Sequence, residues 1–266
     1  MGETVAAGFT DLCLVTAVGI EFKITTGLLT AKSFSEEPRM KICRGFFGAR
    51  RITVLQSEIG AVGFAERLVK HLADNRYDAL IIVGLAGGLD PKLRVGDAVL
   101  YDLCYDARAI DFSRRERPVH EEISSIAGDE ILSAFLFEAI TRGGYFSVRA
   151  LIQAPGITVG RIITEAKEKL ALHVNYGAAA VDMETYGAFA VCARLDLPAA
   201  ALRVISDEAR HNIPDFNRAY DADGRTHGWR MFAALTARPF ATFRLLLTIR
   251  RALRSLKANL RAAMSA

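Results

Sequence analysis

Short apolar runs that alternate with stretches of helical spacing constrain this chain more than any other feature. Residues 12–18 and 52–55 read as strands, 61–72 as a helix, and 79–83 as a compact apolar run between Asp78 and a group of glycines. Residues 95–101 read as another strand, 129–141 and 164–174 as helices, 178–181 as a short strand, 184–195 as a helix and 199–205 as a strand. Apolar runs of strand length punctuated by amphipathic helices pack as a sheet covered on both faces. The expected fold is therefore α/β, with a mixed, mostly parallel central sheet flanked by helices. Residues 102–125, rich in charge and poor in periodicity, are expected to be the least regular segment.

Composition narrows the setting. Hydrophobic residues make up 51% of the 266, enough for a substantial core and too many for a disordered chain. Cys13, Cys43, Cys104 and Cys192 are far apart and have neither metal-ligand nor redox spacing, so they read as buried, reduced thiols. No metal or cofactor is expected. Residues 1–10 lack the basic and long apolar stretches of a secretion signal, and no window holds the ~18 apolar residues of a membrane span. A cytoplasmic location is the expectation.

The net charge of +4 hides an asymmetry. Residues 224–266 hold nine Lys or Arg and no Asp or Glu, leaving 25 basic against 30 acidic side chains in the rest. The chain thus divides into a mildly acidic body, 1–223, and a basic tail, 224–266. Within the tail, Leu246, Ile249, Leu253, Leu256 and Leu260 recur every three or four residues. Arg250, Arg251, Arg254, Lys257 and Arg261 fall on the other side, so the tail reads as a basic amphipathic helix. Such helices lie on anionic membranes or pack on their own protein with the basic side in water. Nucleic acid is a poorer fit, because few aromatic residues interleave the charges.

Ligands of open α/β sheets collect at the carboxyl ends of strands, so polar residues just after apolar runs are the site candidates. Four clusters qualify. Gly19, Glu21 and Lys23 follow the first strand; the alternative is an acidic first helical turn. The segment Gly84-Leu85-Ala86-Gly87-Gly88 follows the next long run and reads either as a backbone cradle for an anion or as a tight turn. Asp182-Met183-Glu184 stands where a strand gives way to a helix. A carboxylate there can accept hydrogen bonds from vicinal hydroxyls, and a methionine can pack on a sugar face. Ser206-Asp207 ends a strand, where an acid could protonate a departing base, although turn and cap residues look the same.

In this order, the four clusters resemble the nucleoside phosphorylase and nucleosidase superfamily. That group includes purine nucleoside and uridine phosphorylases and methylthioadenosine/S-adenosylhomocysteine nucleosidases. The resemblance spans residues 12–208 and rests on Ala86-Gly87-Gly88, Val95-Gly96-Asp97, Asp182-Met183-Glu184 and Ser206-Asp207. It implies Asp207 as general acid to the base, Glu184 on the ribose hydroxyls with Met183 beside them, and Glu21 as activator of an attacking water. Gly19 and Lys23 match a phosphate loop in which an arginine is usual, with Gly87 and Arg161 as further candidates for the phosphate or water site. Leu85 stands where many members place a hydroxyl.

One branch looks closest, the hopanoid-associated phosphorylases. It implies phosphorolysis of a 5′-modified, possibly lipid-linked, adenosine, with inorganic phosphate as co-substrate. Hydrolysis of methylthioadenosine-type substrates by water is the alternative, and an inactive membrane-associated binding protein the second. A homo-oligomer is implied by the same resemblance.

Overall fold

The computed structural model describes residues 9–56, 63–110, 123–143, 150–215, 217 and 239–265. Residues 61–62 of the first expected helix, 111–122 of the expected irregular segment and 224–238 of the tail lie outside them.

The strands are β1 (Asp11–Thr16), β2 (Thr30–Glu37), β3 (Met40–Phe47), β4 (Arg50–Gln56), β5 (Ala79–Gly88), β6 (Ala98–Ala107), β7 (Ser125–Ala127), β8 (Leu151–Val159), β9 (Ala180–Asp182) and β10 (Ala199–Asp207). The helices are α1 (Gly19–Thr26), α2 (Phe64–Asp74), α3 (Glu130–Arg142), α4 (Ala166–Tyr176), α5 (Thr185–Arg194) and α6 (Pro239–Ser265). All ten strands join one sheet in the order β10-β6-β8-β9-β5-β1-β4-β3-β2, with β7 on β6. β10 also pairs with β5, so five of the strands close into a ring and the rest extend from it.

The sheet is mixed, as expected. The parallel pairings include β1 with β4 and β5, and β5 with β10. The antiparallel ones include β2–β3 and β3–β4, contributed by two strands that the sequence pattern did not show. β2 is mostly exposed, so no apolar run marks it. β8 was hidden by Pro155 and Gly156 in its middle. A Cβ on Gly156 would lie 2.0 Å from the Tyr101 ring, so the close approach of β6 and β8 requires glycine there.

The central strands are apolar on both faces, and successive residues serve different cores. Leu12, Leu14, Ile81, Val83, Leu202 and Val204 meet Phe22 of α1, Leu132 and Leu136 of α3, and Leu256 and Leu260 of α6. Cys13, Val15, Leu80, Ile82, Ala201 and Ile205 meet Phe64, Leu68 and Leu72 of α2 and Ala188 and Phe189 of α5. α2 thus buries every fourth residue, as its helical spacing predicts.

The tail helix does not offer its whole apolar stripe to a membrane. Leu253, Leu256 and Leu260 are buried. Burial of each is worth roughly 1.5–3 kcal/mol, which favours packing on the body. Ser255 Oγ donates to Gly96 O (2.6 Å). Arg50 Nη1 donates to Met264 O (2.6 Å), placing a cation where the last turn of α6 exposes carbonyls. Only the start of the stripe is open: Phe243, Leu246 and Leu247 are exposed. Arg250, Arg251, Arg254, Lys257 and Arg261 face solvent beyond them. No helix among the described residues is long and apolar enough to cross a membrane.

Candidate active site

Strand ends β1, β5, β9 and β10 converge on a cavity of about 250 Å³. Glu21, Gly87, Arg161, Met183, Glu184 and Asp207 all line it. Its other wall is apolar, built by Val159, Ile162, Ile163, Ile213 and Leu245.

Glu21 is both a first-turn helix residue and a cavity residue. Its Oε2 accepts from the N–H groups of Ala17 (3.1 Å) and Val18 (3.2 Å), satisfying donors at the start of α1. Its Oε1 accepts from Leu85 N (2.8 Å) on β5. The side chain is buried, and burial raises its pKa above the ordinary 4.5, against the lowering pull of these N–H groups and of Arg203. A carboxylate whose pKa is raised by burial is a stronger base than one in water, and so better suited to accepting a proton.

Gly19 and Lys23 do not join it. Lys23 is solvent-exposed, and neither residue lines the cavity. Lys23 lies two residues beyond Glu21, about 200° further round the helix, so the turn that aims Glu21 inward aims Lys23 outward. The Gly84–Gly88 segment is not a turn either. It is the last half of β5, paired with β10 from Gly84↔Arg203 to Gly87↔Asp207 and with β9 at Gly87↔Val181. The glycines serve close packing instead. A Cβ on Gly84 would lie 2.7 Å from Glu21 Oε1 and 2.9 Å from Arg203 Nη1. Arg161 lines the cavity but pairs with Glu168 (2.7 Å).

The acidic motif divides its labour. Asp182 is consumed internally: Oδ1 accepts from the N–H groups of Glu184 and Thr185 (3.1 Å each) and from Thr158 Oγ1 (2.8 Å), and Oδ2 from Thr185 Oγ1. These bonds anchor the first turn of α5. Glu184, left facing the cavity, meets Arg203 Nη2 at 3.5 Å.

Sequence reasoning missed two cations. Arg203 is buried in β10, its Nε 3.1 Å from Asp182 Oδ2 and its Nη2 3.0 Å from Thr185 Oγ1. Burial alone would lower its pKa, but Asp182 and Glu184 outweigh that and raise it, so it is a permanent cation. Inside an apolar run it read as part of the strand. Lys169 of α4, fully buried, donates to Asp207 Oδ2 and to His211 O (3.0 Å) and Glu208 O (3.3 Å). A signal was available: Lys169 stands three residues before Leu172, the other buried residue of α4, and so occupies a core-facing position. Asp207 Oδ1 accepts from Ser206 Oγ (2.7 Å).

A sequence profile of the phosphorylase superfamily matches residues 11–237. This chain belongs to the phosphorylase superfamily. The 5′-methylthioadenosine/S-adenosylhomocysteine nucleosidase of Glaesserella parasuis is 26% identical over 204 residues, covering 74% of this chain and 85% of the relative. The nucleosidase of the same description from Mycobacterium bovis is 27% identical over 229 residues, covering 77% and 89%. The fold is that of the nucleosidase from Neisseria meningitidis solved with methylthio-immucillin-A, at a TM-score of 0.72, 17% identity and coverage of 96% and 98% of the two chains. For a phosphorylase-superfamily chain, the cavity at the ends of β1, β5, β9 and β10 is the candidate active site.

Proposed function

We propose that this chain hydrolyses the N-glycosidic bond of an adenine-type nucleoside, with water as the nucleophile. The observation that carries the choice of water is the charge of the cavity wall. Among the described lining residues, the charged ones are Glu21, Asp182, Glu184, Asp207 and Arg161. Arg161 is paired with Glu168, and the buried cations behind the wall, Arg203 and Lys169, are taken up by Asp182 and Asp207, which leaves Glu21 and Glu184 to set the charge that an entering ligand meets. A phosphate dianion would enter against that field, whereas water would not. The curated relatives named above are nucleosidases, in line with this reading. Against phosphorolysis, which the resemblance put first, Lys23 is solvent-exposed and Gly84–Gly87 are paired in β5 rather than forming a backbone cradle.

In the proposed reaction, the ribose hydroxyls donate to Glu184 and the sugar packs on Met183. Asp207 gives its proton to a ring nitrogen as the C1′–N bond breaks, and the bonding pair leaves with the base. Glu21 takes a proton from the water that bonds to C1′. Arg203, held by Asp182 and Glu184 on β10, stands behind both Glu21 and Glu184 and keeps their carboxylates in place. The apolar wall from Val159 to Leu245 suits an uncharged, apolar 5′ substituent.

The test is adenine release from 5′-methylthioadenosine and adenosine in phosphate-free buffer and with added phosphate. Equal rates are expected. A rate that vanishes without phosphate would restore the phosphorylase reading.

We also propose that the start of α6 touches anionic membrane. Phe243, Leu246 and Leu247 are exposed at the end of the helix next to the cavity residue Leu245, with the basic side chains following them. A short apolar wedge beside a basic stripe suits shallow insertion at an anionic interface.

A further inference from the structure

The proposed chemistry asks Asp207 to lose a proton, and its two carboxyl oxygens meet side-chain donors from different elements. Its side chain is 9% exposed, and one carboxyl oxygen meets the ammonium of Lys169, whose side chain is 0% exposed. The other oxygen meets the Ser206 hydroxyl. The two donors come from different places: Ser206 from the same strand, Lys169 from α4, 38 residues away. A buried lysine is costly to desolvate, and a buried ion pair returns little net stability. Its place at a core-facing position calls for another role.

We propose that Lys169 is a positioning residue for the base-protonating acid: it holds one oxygen of Asp207 in a charge-assisted bond, fixes the carboxyl plane, and so orients the other oxygen to carry the proton to the leaving base. This rests on the hydrolase reading above. In the step, the O–H bond of Asp207 breaks, an N–H bond forms on the leaving base, and the electron pair remains on the carboxyl oxygen. The new anion forms within hydrogen-bond reach of a cation already in place, between two buried side chains, where such stabilisation is larger than in water. Lys169 also holds the carbonyls of Glu208 and His211, the turn that leads to the cavity residue Ile213. Its three donors thus tie the acid to a segment that lines the same cavity. Lys169 does not line the cavity, so in this proposal it acts through Asp207 and that turn.

The test separates this role from a structural one by changing the leaving group. Adenine needs protonation to depart; 4-nitrophenolate does not. The full chain, its Lys169→Met variant and its Asp207→Asn variant are assayed with 5′-methylthioadenosine and with the 4-nitrophenyl riboside. Lys169→Met is expected to lower kcat for methylthioadenosine by roughly 10–100-fold, with KM within a few-fold. Its kcat on the nitrophenyl riboside should stay within a few-fold of the parent, and Asp207→Asn should show the same pattern more strongly. Equal losses on both substrates would reduce Lys169 to a packing residue, and no loss on either would remove its role altogether. If the parent chain cleaves neither substrate, the hydrolase reading falls first and this role with it. Should Lys169→Met fail to fold, Lys169→Gln keeps a hydrogen-bond donor without the charge. The same leaving-group contrast then decides the matter.

Discussion

Replacing Glu21 by glutamine separates catalysis from stability, because the two should move differently. The side chain is 3% exposed and its oxygens accept three backbone N–H bonds, from Ala17, Val18 and Leu85. Glutamine has the same shape but a single acceptor oxygen. If that oxygen keeps the Ala17 and Val18 donors, the amide NH2 faces the Leu85 N–H, and one bond is lost. An unmade buried bond costs about 1–3 kcal/mol. Against this, the buried charge disappears, and burial is the largest influence on Glu21. The two offset each other, so the melting temperature should move by no more than about 2–4 °C, the shift of ~1 kcal/mol in a domain of this size.

Catalysis has no such offset. Loss of a general base typically removes 10²–10⁴-fold, or about 2.7–5.4 kcal/mol on the barrier. The assay is adenine release in phosphate-free buffer beside thermal unfolding of both proteins. A folded Glu21→Gln enzyme within tenfold of the parent would refute the role of Glu21. pH adds a second reading. Because the folded pKa of Glu21 lies above its ordinary 4.5, the folded chain holds this proton more tightly than the unfolded one. Its contribution to stability is complete below about pH 4.5 and declines as pH rises through the folded value. Hydrolysis, which needs the ionised form, rises over the same interval. Both slopes should vanish in the variant.

Gly84→Ala would push its Cβ against Glu21 and Arg203 at 2.7 and 2.9 Å; at least a tenfold drop in base release is expected, with a loss of about 1–3 kcal/mol seen in urea unfolding. A variant of parental activity would show that the pair can shift without consequence. Arg203→Met strands Asp182 and Glu184 and should cost about 3–5 kcal/mol in stability. Adding Asp182→Asn should recover part of that loss; additive losses would mean that the two do not act as a pair. Serine at Phe243, Leu246 and Leu247 together should weaken sedimentation with phosphatidylserine vesicles while adenosine turnover in solution stays unchanged. Unaltered sedimentation would dismiss the membrane contact at the start of α6.

Much of the fold was legible because it is local. Apolar runs of strand length at β1, β4, β5 and β10, and the fourfold spacing of Phe64, Leu68 and Leu72, follow from backbone periodicity alone. β2 and β8 escaped for local reasons too, one being mostly exposed and the other broken by Pro155 and Gly156. The candidate site was legible as far as strand ends go. Glu21, Glu184 and Asp207 are each adjacent in sequence to the run that delivers them, and the cavity brings together those three with Met183.

The sequence by itself determined which carboxylates stand at strand ends and that a basic amphipathic helix follows the mildly acidic body. Only the tertiary structure decided what surrounds them. Sheet register sets Gly84 opposite Arg203, and α4 brings Lys169 to Asp207 across 38 residues. The first turn of α1 keeps Glu21 and discards Lys23. These choices depend on which face of an element meets which neighbour. No spacing within a segment encodes that, because the free energy that selects it comes from burying surfaces that are distant along the chain.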